Sequence, residues 1–175
     1  MSAPQNFNRR LLLQGTLFGF ATVLGLSACG FRLRGSVTIP YKSVLISGRP
    51  SPQLRYDLER IIATGTNAKV VTSGKDADLI LDIVSEDSTR QILTYTSTGQ
   101  ISAYRLNNRV VFRAFDNTGV EVIPESDIYV IRDLDFTTAT LLAADIQQQQ
   151  FLESMRSDLA LQILRRIATL GRVSK

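Results

Sequence analysis

The chain of 175 residues contains no histidine, no tryptophan and a single cysteine. Without imidazole there is no histidine general base, no Ser-His-Asp triad and no histidine metal ligand. One thiol cannot close an intrachain disulfide, fill a four-cysteine zinc site or form a CxxC redox pair. The sequence also lacks a GxxxxGK[ST] phosphate loop, an HExxH helix, a GxSxG elbow and an EF-hand loop. A large charge excess is missing too, since 20 basic residues stand against 16 acidic ones. Two of the basic residues, Arg9 and Arg10, lie in the first 28 positions, which hold no acid; 18 against 16 remain, a surplus of two. That surplus is too small to point to nucleic acid.

Carboxylate chemistry is the enzymatic route left open. Asp76/Asp78 and Asp133/Asp135 are acidic neighbours, but their i,i+2 spacing is common at strand ends and no motif surrounds them. Solvated carboxylates are the expectation, with a cation or hydrolytic site as the alternative. A binding or assembly protein is therefore expected, with no enzymatic activity, no metal and no cofactor. The hydrophobic share of 44% suits a folded chain, and the length suits one domain with a core.

MSAPQNFNRR is polar and ends in two arginines, and Leu11–Ala28 follows with 18 uncharged residues. This is the positive, apolar and small-residue order of a secretory signal. A retained span is the competing reading, but the run is near the short limit and Gln14, Gly15, Thr16, Gly19 and Gly25 dilute it. Arg9-Arg10 before Leu11-Leu12 loosely resembles a twin-arginine signal, so the export route stays open.

Leu26-Ser27-Ala28-Cys29 resembles a bacterial lipobox. Small residues let the chain enter a protease site, and the thiolate takes a diacylglyceryl group. Cleavage before Cys29 frees an amine for a third acyl chain, and several chains give a stable anchor. A catalytic role for Cys29 is the poorer reading, because no histidine exists to activate it. Gly30 stands where an aspartate would resemble an inner-membrane retention signal, which favours the outer membrane. The expected organisation is a cleaved lipoprotein signal over 1–28 and one periplasmic domain over 29–175. A short lipidated tether would hold that domain to the bilayer through acylated Cys29.

The mature chain reads as alternating short elements. Tyr41–Ser47 has the content of a first strand, and Gly48–Pro52 is a turn with Ser51 as N-cap and Pro52 at the first helical position. Leu54, Leu58, Ile61 and Ile62 repeat at helical spacing and predict a helix ending before Gly65. Asn67–Val71 and Leu79–Val84 are strand candidates, the second continuing through Gln91–Thr96. After a turn at Ser97–Gln100 the chain returns through Ile101–Phe115 as a long antiparallel hairpin. Another turn at Asp116–Gly119 leads to Val120–Ile123. Pro124–Asp127 then interrupts the pattern before Ile128–Phe136 resumes it.

Across Leu141–Leu170 the period changes: Leu152, Met155, Leu159, Ile163, Ile167 and Leu170 recur three and four residues apart. The expected fold is α+β, a two-layer α/β sandwich with two helices packed on a mostly antiparallel, roughly four-stranded sheet.

Within the returning strand, Tyr104, Leu106, Val110 and Phe112 share one face, interrupted by Asn108. Arg105, Asn107, Arg109, Val111 and Arg113 share the other. The resulting basic stripe has two readings. One is a solvated face paired with acids on a neighbouring strand; the other is a site for an anionic ligand, since the guanidinium fork suits phosphate.

The order of features resembles a known family. Cys29-Gly30-Phe31-Arg32-Leu33-Arg34-Gly35 opens the mature chain, then come a strand, a helix, a sheet with Gly99-Gln100 before Ala103-Tyr104, and a long closing helix. Asp127-Ile128-Tyr129 resembles a further family segment. Over nearly all of Cys29–Leu170 the chain is similar to LptE, the lipopolysaccharide-assembly lipoproteins of Gram-negative outer membranes.

The resemblance implies a sandwich that plugs an LptD β-barrel and assists its assembly. It also implies binding of lipopolysaccharide (LPS) during insertion into the outer leaflet, with no bond made or broken. Some members carry basic residues for LPS at the hairpin tip and in the closing helix. Here the tip is Tyr95-Thr96-Ser97-Thr98 and the helix has Phe151-Leu152-Glu153, so neither position transfers. Arg105, Arg109 and Arg113 are the candidate ligand-binding residues instead. Phe31, Leu33 and Arg34 are candidate partner contacts, with local packing as the alternative. The alternative function is a generic outer-membrane lipoprotein that scaffolds an envelope complex without LPS contact.

Overall fold

The computed structural model of the chain describes residues 37–137 and 140–173. The signal segment, Cys29, Phe31, Leu33 and Arg34 lie outside the described residues. Strand β1 (Ser43–Gly48) leads into helix α1 (Pro52–Gly65), and β2 (Lys69–Val71) returns parallel to β1. A single 3₁₀ turn (Gly74–Asp76) connects to β3 (Leu79–Tyr95), which pairs parallel with the other side of β1. Strands β4 (Ile101–Asp116) and β5 (Glu121–Asp135) complete an antiparallel meander, and α2 (Leu141–Val173) closes the fold. The sheet order is β2-β1-β3-β4-β5, five strands where sequence pattern predicted roughly four. Its long pairings are antiparallel, and the parallel ones are confined to the β1 neighbourhood. No helix among the described residues is long and apolar enough to cross a membrane.

The start of α1 follows the expected capping chemistry. Ser51 is extended, its hydroxyl accepts from the Leu54 amide at 3.1 Å, and Pro52 follows where no amide is needed. Glu86 on β3 holds the same cap: its carboxylate accepts from the Ser51 amide at 2.6 Å and from the Ser51 hydroxyl at 3.0 Å. An anion at a helix N-terminus also complements the helix dipole. One carboxylate thus locks α1 to the sheet.

Both helices pack on one side of the sheet. Leu54, Leu58, Ile61 and Ile62 of α1 join Leu159, Ile163, Leu164 and Ile167 of α2 over Val44, Ile46, Leu81, Ile83, Val110 and Phe112. Burying each such side chain stabilises the fold by about 1.5–3 kcal/mol. Leu106, Leu134, Ala144 and Met155 are buried as well but lie outside that cluster. Between Leu106 and Val110 sits Asn108, 5% exposed, its Oδ1 without a hydrogen-bond partner.

One expected interruption is absent. Pro124–Asp127 does not break the strand; β5 runs through it. Phe112 pairs with Ser126 and Ala114 with Ile123, so Arg113 alone faces Pro124 and Glu125. The extra residue is absorbed as a bulge. Among the described strands β5 has a neighbour only on the β4 side, so a proline there interrupts no second ladder.

Candidate functional site: a charge-matched sheet face

The sheet face turned away from the helices carries the stripe read in the sequence. Alternation along β4 buries Leu106, Asn108, Val110, Phe112 and Ala114 on the helix side and leaves Arg105, Asn107, Arg109 and Arg113 on the other. Arg105 lies directly opposite Asp133, and its Nε and Nη2 donate to the two carboxylate oxygens, both at 2.8 Å. Arg109 reaches diagonally to Asp127 in the same two-pronged way, at 2.9 and 2.7 Å. Arg113 faces Asp82 of β3, its Nε donating at 2.9 Å. All six side chains remain partly exposed.

These guanidinium hydrogen bonds hold the Asp127 and Asp133 carboxyls below the usual carboxylate range. The same bonds push the Arg105 and Arg109 guanidinium groups upward. Neither shift moves a group toward neutral pH, where a general acid or base works best. The face is therefore polar and multiply charged, but each positive charge has its own negative one. Between Arg105 and Arg109, the Asn107 Oδ1 is buried without a partner. Opposite them on β5, Tyr129 and Ile131 are 62% and 47% exposed. Each two-pronged guanidinium leaves its Nη1 amino group unengaged, so an acceptor can still be added.

The structure brings Arg105, Arg109 and Arg113 together and also supplies what the sequence reading left unassigned, their partners. Asp133 belongs to one of the acidic pairs noted above; Asp127 belongs to the segment Asp127-Ile128-Tyr129. The hairpin turn at Thr96–Gln100 sets β3 against β4, but counting back from it places Ile83 opposite Arg113; the register shift between Ile83 and Ser85 is what brings Asp82 there. Asp78, in the other acidic pair, is a backbone clamp, accepting from the amides of Lys42 and Ser43 at 3.0 and 3.1 Å. The Ser43 hydroxyl and these amides keep its carboxyl below the usual range. Among the described residues no cluster of acids could hold a metal ion.

A family model described as LptE, lipopolysaccharide-assembly, matches residues 36–167. Among solved structures, the chain is similar to the solution NMR structure of an uncharacterized lipoprotein B from Nitrosomonas europaea. The two share 31% identity with a TM-score of 0.71, over 82% of this chain and 93% of that one. A rare lipoprotein B from Shewanella oneidensis shares the fold at 23% identity and a TM-score of 0.60, over 74% of this chain and 96% of that one. So does a minor lipoprotein from Acinetobacter baumannii, at 20% identity and a TM-score of 0.62, over 75% and 93%. No protein with a curated description matches the chain.

Proposed function

Because the chain belongs to the LptE lipopolysaccharide-assembly family, we propose that its sandwich sits as a plug in the lumen of an LptD-like β-barrel and touches LPS there. The family's role is to bind LPS and to assist assembly of the LptD barrel in the outer membrane. The chain is accordingly an outer-membrane, lipid-anchored lipoprotein without enzymatic activity. The observation that carries the reading is the extent of the match, which runs from before β1 to the last turns of α2.

In this reading residues 1–28 are removed and Cys29 carries the acyl chains that tie the domain to the bilayer. Phe31, Leu33 and Arg34 then place the first mature residues against the barrel. Arg105, Arg109 and Arg113 form the LPS-facing row, each offering a phosphate the amino groups its aspartate leaves unused: Nη1 of Arg105 and Arg109, and both amino groups of Arg113. Their matched charges favour reversible contact over capture.

Photocrosslinking in intact cells from Tyr129 and Ile131, scored for barrel and LPS adducts, tests the arrangement. Adducts to both are expected. Barrel adducts alone would favour the scaffold that never touches LPS, and neither would sink the placement. Changing Arg105, Arg109 and Arg113 together to alanine is expected to weaken LPS binding by the purified protein. Unchanged binding would remove these three arginines, the arginine ladder of the sheet face, from the site. Loss of acyl label in Cys29→Ser checks the anchor.

A further inference from the structure

The described arginine side chains of α2 divide by whether an acid answers them. Arg156 approaches Asp57 at 3.9 Å, whereas the guanidinium groups of Arg165 and Arg166 have no ion pair or hydrogen bond among the described residues. Both are exposed, and both line a groove of about 500 Å³ where α2 overhangs the β5 edge. Gln162 adds an amide to the same wall, and the half-buried Ile128 gives the groove apolar surface above the fully buried Phe112. Asp127 is its carboxylate, and both oxygens of that group are already held by Arg109. The groove therefore has a cationic surplus above an apolar floor.

Compensation of the helix dipole does not account for this placement. That effect fades within the last turn, and Arg166 precedes the end of α2 at Val173 by about two turns. Successive residues on a helix diverge by about 100°, so two neighbouring arginines that both reach one groove grip it from different sides. A guanidinium presents its donors as a planar fork that fits phosphate oxygens in pairs.

We propose that this groove is a second anion subsite, taking the phosphate of a phosphorylated amphiphile, whose apolar part lies over Ile128. The proposal rests on the LPS-contact reading above and deepens it. It places the net attractive charge at the α2–β5 edge, apart from the arginine ladder and joined to it through Asp127.

The test uses the full-length lipoprotein in non-ionic detergent, with bisphosphorylated lipid A and its dephosphorylated counterpart as probes. R165Q/R166Q is expected to weaken binding of the bisphosphorylated probe roughly tenfold or more and to leave the dephosphorylated probe unaffected. R165K/R166K should recover part of the loss, because lysine restores the charge without the fork. Competition by inorganic phosphate would mark a site that reads phosphate alone. Its failure to compete would mark one that needs the lipid as well; either supports the subsite. Equal affinity of wild type and R165Q/R166Q for the bisphosphorylated probe overturns the subsite and leaves the LPS reading standing. Equal loss for both probes overturns the phosphate assignment. A wild-type protein that binds neither probe overturns the LPS reading itself.

Discussion

Gly48 and Gly119 have the same left-handed backbone, at φ +82° and +87°, in opposite surroundings. A Cβ on Gly119 meets nothing within 4 Å. On Gly48 it would overlap the carbonyl oxygen of Ile83 and stand 2.8 Å from the Ile83 nitrogen and 2.7 Å from Asp82 Oδ1. Forcing alanine into this backbone region costs about 1–2 kcal/mol at either site. At Gly48 the end of β1 must also part from β3, which threatens the 2.8 Å bond from the Arg49 amide to Ile83. A lost hydrogen bond and the overpacking add about 2–3 kcal/mol.

Alanine narrows the unfolded ensemble similarly in both variants, so that contribution cancels in the comparison. Gly48→Ala should therefore cost about 3–5 kcal/mol and Gly119→Ala about 1–2 kcal/mol. Urea unfolding followed by far-ultraviolet circular dichroism, at unchanged m, measures both. A difference below about 0.5 kcal/mol would refute the close approach of β1 to β3. Because Asp82 moves with Ile83, the same variant should also loosen the Arg113 pair.

Asn108→Leu removes a buried amide with an unpaired oxygen, and a stabilisation of about 1–3 kcal/mol is expected in the same unfolding assay. A loss instead would mean that the amide is satisfied in solution. Ser51→Ala deletes the N-cap acceptor of α1 and one partner of Glu86, and should cost about 1–2 kcal/mol. Asp127 and Asp133 have folded-state pKa values below their unfolded ones. Their contribution to stability is whole above the unfolded value of about 4 and is lost as pH falls through the lower folded values. Stability of D127N/D133N should accordingly fall less steeply than wild type below about pH 4; parallel slopes would mean that the pairs do not form in solution.

Periodicity carried the elements, because a helical stripe such as Met155, Leu159 and Ile163 and an alternating row such as Leu106, Val110 and Phe112 are local patterns. Sheet order is not local. Nothing in Tyr41–Val71 alone says that β1 lies between β2 and β3 with both neighbours parallel to it. The arginine stripe was legible as a face, and one of its two readings, acids on neighbouring strands, is the arrangement found. The particular acids were not legible. Arg105 meets Asp133 squarely, but Arg109 bypasses Tyr129 for the diagonal Asp127, and a bulge opposite Arg113 resets the count. Pro124 read as a stop, because the local rule for proline does not know that the strand has only one neighbour. Nothing local separates Arg165 and Arg166 from an ordinary polar helix face. Only the packing of α2 over the β5 edge makes them the walls of a groove.

The two cationic features should respond differently to salt, which separates their roles in LPS contact. In the ladder each guanidinium already has a carboxylate within hydrogen-bond distance, so an arriving phosphate meets hydrogen-bond donors but little net field. At the groove, Arg165 and Arg166 present charge with no acid to cancel it, apart from Asp127, which Arg109 holds. Attraction of that kind is screened over a Debye length of about 8–10 Å near physiological ionic strength. Binding of bisphosphorylated lipid A should thus weaken as salt is raised in the wild type, and R165Q/R166Q should flatten that dependence. R105A/R113A removes two cations and leaves Asp133 and Asp82 unanswered beside the probe, while Arg109 still holds Asp127 at the groove. It should lower affinity while keeping the salt response of the groove. The reverse pattern, with a flat response in the ladder variant and a preserved one in R165Q/R166Q, would transfer the attractive charge to the ladder. It would also mean that its aspartates give way to phosphate.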